Sequence, residues 1–158
     1  MQNQIEIRNA TSQDAEKIVH FNKSMARETE DKHLDDQILT SGVNAVLNDP
    51  KCGFYLVAEV EGNVVASLMI TNEWSDWRDG VFWWIQSVYV DPDFRRRGIF
   101  RAMYKEARNR AASDSKVCGC RLYVEQDNTA AQKTYASLGF KETNYKLYEE
   151  IFPNPQDG

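Results

Sequence analysis

A hydrophobic strand that runs directly into a basic, glycine-containing helix start constrains this chain more than any other feature. The segment is Val88-Tyr-Val-Asp-Pro-Asp-Phe-Arg-Arg-Arg-Gly-Ile-Phe-Arg101. The first turn of a helix leaves backbone N–H groups unpaired and carries the positive end of the macrodipole. Placing Arg95, Arg96 and Arg97 there is unfavourable unless a negative ligand also binds, and a diphosphate has the charge for it. Ile99, Phe100, Met103, Tyr104, Ala107 and Ala111 recur at helical spacing, so the helix is expected to bury one face. Gly98, read as lying in the first turn, lowers helix stability relative to alanine, which points to close approach of something to the backbone. From these residues alone a solvated basic turn, screened by Asp91 and Asp93, remains open.

A second segment stands downstream, Asn128-Thr-Ala-Ala131-Gln-Lys-Thr-Tyr135-Ala-Ser-Leu-Gly139-Phe140. A strand over 117–124 leads to a short helix capped by Asn128 or Asp127, with Ala131, Thr134, Tyr135 and Leu138 as its stripe and Gly139 as its end. Together the two segments resemble the GNAT superfamily of N-acetyltransferases. That family has an acetyl-CoA pyrophosphate loop of pattern Arg/Gln-x-x-Gly-x-Gly/Ala and a later Asn-x-x-Ala-x-x-x-Tyr-x-x-x-Gly-Phe. The chain matches at Arg95, Gly98, Asn128, Ala131, Tyr135, Gly139 and Phe140, and departs at Phe100, where the loop pattern has a second small residue.

Chain length and composition fit one such domain over 1–152 with a loose tail over 153–158: 158 residues, 42% hydrophobic, suffice for one core. No stretch approaches the apolar length of a membrane span, and the first residues lack a secretion signal, so a cytoplasmic protein without membrane partners is expected. Cys52, Cys118 and Cys120 make no disulfide framework. Cys118 and Cys120 share one strand face, but with only His20 and His33 as further soft ligands no metal is expected.

The remaining pattern predicts a strand over 5–8 and a capping box Thr11-x-x-Asp14 opening a helix with Ala15, Ile18, Val19 and Met25 as its stripe. A second helix follows over 34–47, then a hairpin of strands 54–60 and 63–71 about Glu61-Gly62, a long strand over 81–90, and a last strand over 145–152. The order β-α-α-β-β-β-α-β-α-β implies an α/β (α+β) fold with a mixed, mostly antiparallel sheet and helices on both faces.

The resemblance implies the chemistry. Acetyl-CoA would be the acyl donor. Its pantetheine arm would pair with the backbone at Val88 and Val90, and its diphosphate would lie on Arg95, Arg96, Arg97, Gly98, Ile99, Phe100 and Arg101. Asn128 would cap its helix and meet the pantetheine, and Tyr135 would protonate the departing thiolate. A tyrosine on the buried stripe of a short helix can equally be core. The strand 81–90 carries no carboxylate, with Trp84 in the place where some members have a glutamate. Glu73, Glu28, Glu30 or a water held by Gln86 or Ser87 are the candidates for general base.

The acceptor implied is a primary amine of a small molecule or a peptide. A net charge of −5 and the acidic run Glu28-Thr-Glu-Asp31 with Asp35 and Asp36 favour a cationic one. Glu28, Glu30 and Trp84 are the candidate substrate residues, and Trp74, Trp77, Trp83 and Trp84, around the turn Asp79-Gly80, could add an aromatic wall able to hold an ammonium or serve as core or a subunit contact. A sequence pI near 5.1 with a single basic cluster argues against nucleic-acid binding. An acetyl-CoA-binding regulatory domain without turnover stays as the alternative. Apolar residues at 145–152 exceed what one sheet face needs, so a homodimer is expected there.

Overall fold

The computed structural model describes residues 4–153. Residues up to Tyr123 form one compact unit and those from Val124 a second. In the first unit, β1 (Ile5–Asn9) leads through a 3₁₀ turn into α1 (Ala15–Glu30) and α2 (Asp36–Asn48). Strands β2 (Phe54–Val60), β3 (Asn63–Ser75) and β4 (Gly80–Val90) follow, then α3 (Ile99–Ser113) and β5 (Val117–Leu122). The five strands lie in the order β1-β2-β3-β4-β5. The first three pairings are antiparallel and β4–β5 is parallel, which makes this a mixed α/β fold.

Local chemistry accounts for the boundaries. The Asp14 carboxylate accepts from the Thr11 N–H at 2.7 Å, the capping-box bond expected before α1, and is held by Arg8 of β1 at 2.8 Å. The β2–β3 hairpin turns on Glu61 (φ 52) and Gly62 (φ 78). Two consecutive positive φ values are the pair that matches the right-handed twist of the flanking strands.

Alternation along β2 sends successive side chains to opposite faces. Tyr55 and Val57 join Ile18 and Val43 in a buried cluster, which places α1 and α2 on that face. Leu56 and Ala58, fully buried, point the other way. There α3 contributes its buried stripe Ile99, Met103, Tyr104, Ala107 and Ala111 and contacts β1, β2, β4 and β5. The motif strand β4 is thereby fixed between two helical layers.

The second unit contains α4 (Thr129–Ser137). The last strand expected over 145–152 does not form: those residues have no regular structure, and Tyr145, Leu147, Tyr148, Ile151 and Phe152 are 71–89% exposed. Apolar, aromatic residues raise strand propensity, yet a strand needs a partner edge and a face to bury, and within this unit by itself neither is supplied. Residues 154–158 of the expected tail lie outside the described residues. Among the described residues no helix is long and apolar enough to cross a membrane.

Candidate functional site

Strand β4 has two unlike halves. From Val81 to Ile85 it pairs with β3 on one side and β5 on the other, ending at Ile85↔Leu122. From Gln86 to Val90 it keeps β3 but has no strand on the β5 side among the described residues. The halves are separated by a bulge. Met69 faces Gln86 and Ser67 faces Tyr89, so two steps on β3 match three on β4. Ser87, at φ 50, is the extra residue.

The bulge decides which backbone groups the open edge presents. Before it, Val81 donates its N–H to the carbonyl of Lys116, the residue just before β5, so odd-numbered residues face β5. After it, Asp91 donates to Val65 of β3, so the odd positions have turned toward β3. Backbone polar groups alternate sides along a strand, so Val88 and Val90 now face the open edge. The Val90 carbonyl confirms the direction, since it accepts from Arg95 Nε at 2.9 Å rather than from a strand. Trp84 and Tyr123, with ring centroids 4.5 Å apart, stand beside the point where β4 and β5 part.

The chain then reaches the start of α3 through a single 3₁₀ turn, Pro92–Phe94. Arg96 (φ 64) and Gly98 (φ 75) are both left-handed. Gly98 is the N-cap of α3, one position before the helix proper, and supplies no side-chain acceptor to its first turn. An added Cβ at Gly98 would meet nothing within 4 Å, so nothing inside the protein excludes a side chain. Its φ alone favours glycine, and the concavity is left clear.

The three arginines divide. Arg95 turns back: besides the Val90 carbonyl, its guanidinium donates to Glu28 of α1 at 2.9 Å and lies 5.2 Å from the Tyr89 ring centroid. Tyr89 donates its hydroxyl to the same Glu28 at 2.8 Å. Arg97 stacks on Phe94 at 5.0 Å, and Arg96 and Arg101 remain exposed at the helix start. The Glu28 carboxyl is held below the usual carboxylate range, first by Arg95 and then by Tyr89. It is therefore ionised and fastens α1 to the strand–loop junction. Burial raises the Tyr89 phenol first and Glu28 second, so it stays a donor at neutral pH.

In the second unit, Asn128 caps α4 by accepting from the Ala131 N–H at 3.1 Å. The end of α4 explains the Tyr-x-x-x-Gly-Phe spacing. Phe140 donates its N–H to the Tyr135 carbonyl and Gly139 to that of Ala136, with Gly139 at φ 99. This is the Schellman arrangement, whose accompanying apolar contact is the edge-to-face pair Tyr135–Phe140, centroids 5.8 Å apart. Burial pushes the Tyr135 phenol above its ordinary value, so it remains protonated at neutral pH.

The other expected residues are scattered. Glu73 lies opposite Phe82 and pairs with Arg121 of β5. Phe82 precedes Val88 by six residues, which at strand rise puts Glu73 about 20 Å along β4 from Val88. Glu30 is exposed and 3.5 Å from Lys32. The four tryptophans form no single wall: Trp83 packs on Phe54, Trp84 on Tyr123, and Trp74 and Trp77 are 62% and 87% exposed. Sequence reasoning missed the Ser87 bulge, Tyr123, and the Glu28–Tyr89–Arg95 contact.

A sequence model described as the acetyltransferase (GNAT) family matches residues 12–140. A solved structure of a possible acetyltransferase from Clostridium difficile 630 is 47% identical, covers 95% of this chain and 99% of its own, and superposes with a TM-score of 0.89. A mycothiol acetyltransferase from Mycolicibacterium gilvum is 34% identical over 110 residues, 66% of this chain and 35% of the relative, so the chain spans about a third of that relative's length. An aminoglycoside N-acetyltransferase in complex with CoA shares the fold at a TM-score of 0.74 and 16% identity, over 96% of this chain and 97% of that one.

Proposed function

The chain belongs to the GNAT acetyltransferase family, and on that premise we propose that it transfers an acetyl group from acetyl-CoA to a primary amine. The observation that carries this reading is the open half of β4, with Val88 and Val90 turned outward and a left-handed, glycine-capped helix start eight residues beyond the strand. An extended amide-bearing arm can add to such an edge as a strand would. A diphosphate suits the start of α3, where the dipole, the backbone and the exposed Arg96 and Arg101 favour negative charge.

In this reading the amine nitrogen attacks the thioester carbon, the C–S bond breaks, and amide and free thiol result. A backbone N–H at the open edge stabilises charge growing on the carbonyl oxygen. Tyr135, held protonated, is assigned to give its proton to the thiolate and recovers one from solvent. The proton lost by the ammonium goes to water, since Glu28 is engaged with Arg95 and Tyr89 and is a weakened base. The acceptor is a small molecule or a peptide amine. We further propose a cytoplasmic setting and self-association through the exposed residues 145–152, which a monomeric mass in light scattering would dismiss.

The deciding assay follows free-thiol release while amines are screened with acetyl-CoA. Turnover supports the enzyme, whereas CoA-dependent thermal stabilisation without thiol release favours the regulatory alternative. Tyr135→Phe then isolates the proton donor. It keeps the ring that packs on Phe140 and is expected to lower turnover about ten- to a thousandfold with little change in acetyl-CoA affinity. Unchanged turnover in a folded variant removes Tyr135 from the mechanism.

A further inference from the structure

Four of the five acidic residues that suggested a cationic acceptor are engaged by partners within the protein. Glu28 holds Arg95 and Tyr89, Glu30 approaches Lys32, Asp35 caps α2 by accepting from the Ile38 N–H at 2.9 Å, and Asp36 pairs with Lys23. A cleft beside them is nonetheless lined mainly by basic side chains. This open cleft of about 310 Å³ between α1 and the start of α2 is lined by His20, Lys23, Arg27, Lys32, His33 and Asp36, with Ser24 and Leu34 completing it.

Local and global charge therefore disagree. The chain carries −5, yet the cleft gathers three fixed cations, one carboxylate already paired with Lys23, and both histidines of the sequence. Among the described residues no carboxylate pairs with Arg27. Its guanidinium meets His33 Nδ1 at 3.3 Å, an acceptor too weak to satisfy a fork of donors. A concave site with an unneutralised guanidinium beside lysine is suited to a carboxylate or a phosphate, through charge-assisted and bidentate hydrogen bonds.

Position ties the cleft to the reaction. Ser24 lies on α1 four residues before Glu28, hence on the same helix face and one turn away. Glu28 grips Tyr89 between Val88 and Val90, the two residues that face the open edge. The cleft thus adjoins the stretch of β4 where the acetyl group is to be presented.

We infer that this α1–α2 cleft is the acceptor's anion subsite, so that the amine acetylated also carries a carboxylate or phosphate separate from its nucleophilic nitrogen. The inference rests on the acetyltransferase reading. Net negative charge draws the ammonium toward the protein at long range, and the cleft then fixes the opposite end of a zwitterion. Overall charge and local charge act on different parts of one substrate.

The test uses ligand pairs that differ only in the oxyanion: triglycine against triglycinamide, and phosphoethanolamine against ethanolamine. With only two histidines in the chain, the ring resonances of His20 and His33 report directly on the cleft. Titration of the full chain is expected to move them with triglycine or phosphoethanolamine at least about tenfold more tightly than with the uncharged counterpart, as a charge-assisted bond implies. Which acid binds more tightly distinguishes carboxylate from phosphate.

Arg27→Gln and Lys32→Gln, both at exposed positions, are each expected to erase that preference while leaving CoA-induced thermal stabilisation intact. Equal binding of acid and neutral partner, or a preference that survives both variants, overturns the inference. Loss of CoA stabilisation in the wild type would instead defeat the acetyltransferase reading, and oxyanion binding that persists there would show a subsite unconnected with acetyl transfer, overturning the acceptor assignment.

Discussion

The two halves of β4 share one strand and one partner, β3, and differ in what lies on the other side. Residues 81–85 are closed by β5, and residues 86–90 are open. The closed half buries Phe82 and Ile85 and holds the sheet together. The open half leaves backbone polar groups at Val88 and Val90 without a strand; Arg95 completes the Val90 carbonyl, and water or a ligand is left to complete the others. One inserted residue, Ser87, separates structure from proposed function. Stability and cofactor binding should accordingly respond to different substitutions along a single strand.

The largest expected effect breaks the closed half. Ile85 is 3% exposed, so Ile85→Ala removes buried methylenes and leaves a cavity costing about 2–5 kcal/mol. A urea titration should show the full loss. The variant, at temperatures where it stays folded, should retain CoA-dependent stabilisation, because Ile85 lies on the closed side of the bulge. Equal loss of both properties would show that the halves are not separable.

The next effect sharpens the open half. Gly98→Val has room for its side chain, but a β-branched residue at φ 75 strains the backbone by roughly 1–2 kcal/mol. More telling is the ligand response. Wild type should gain about 2.7 kcal/mol at a hundred times the dissociation constant of CoA, and the variant should gain almost none, since the added bulk fills the concavity. A Gly98→Val protein stabilised by CoA as strongly as wild type would remove this helix start from the cofactor site.

These contrasts also show what sequence could supply. Strand β2, the hairpin at Glu61-Gly62, β4 and the start of α3 were legible because each is encoded by neighbours: alternation, a two-residue turn, a glycine before a stripe. The Tyr135-to-Phe140 spacing was legible for the same reason, since a Schellman end is local. The clamp was not, because Glu28 is 61 residues from Tyr89 and 67 from Arg95. Nor was the bulge, as nothing about Ser87 announces a left-handed φ. The strand expected at 145–152 failed from the opposite cause, a local pattern without a partner. Trp83 and Trp84 were read as one cluster although alternation sends neighbours to opposite faces.

The smallest effect probes the clamp that joins α1 to the open half. Glu28→Gln keeps the size of the side chain and removes its charge. Because the pair with Arg95 is partly solvated, with side chains 42% and 44% exposed, the loss should be at most about 1 kcal/mol and should shrink in high salt. Its pH dependence is the better signature. A carboxyl whose folded pKa lies below its ordinary 4.5 stabilises the native state above that value and loses this contribution as pH falls through the folded pKa. Wild type and Glu28→Gln should therefore differ in urea midpoint near neutral pH and converge as the solution is taken well below pH 4.5. The difference caused by Ile85→Ala, which removes no charge, should be constant over the same range. A Glu28→Gln difference equally flat in pH would mean that the contact with Arg95 and Tyr89 holds by shape alone, and the clamp would then be part of the closed core rather than an electrostatic tie to the open half.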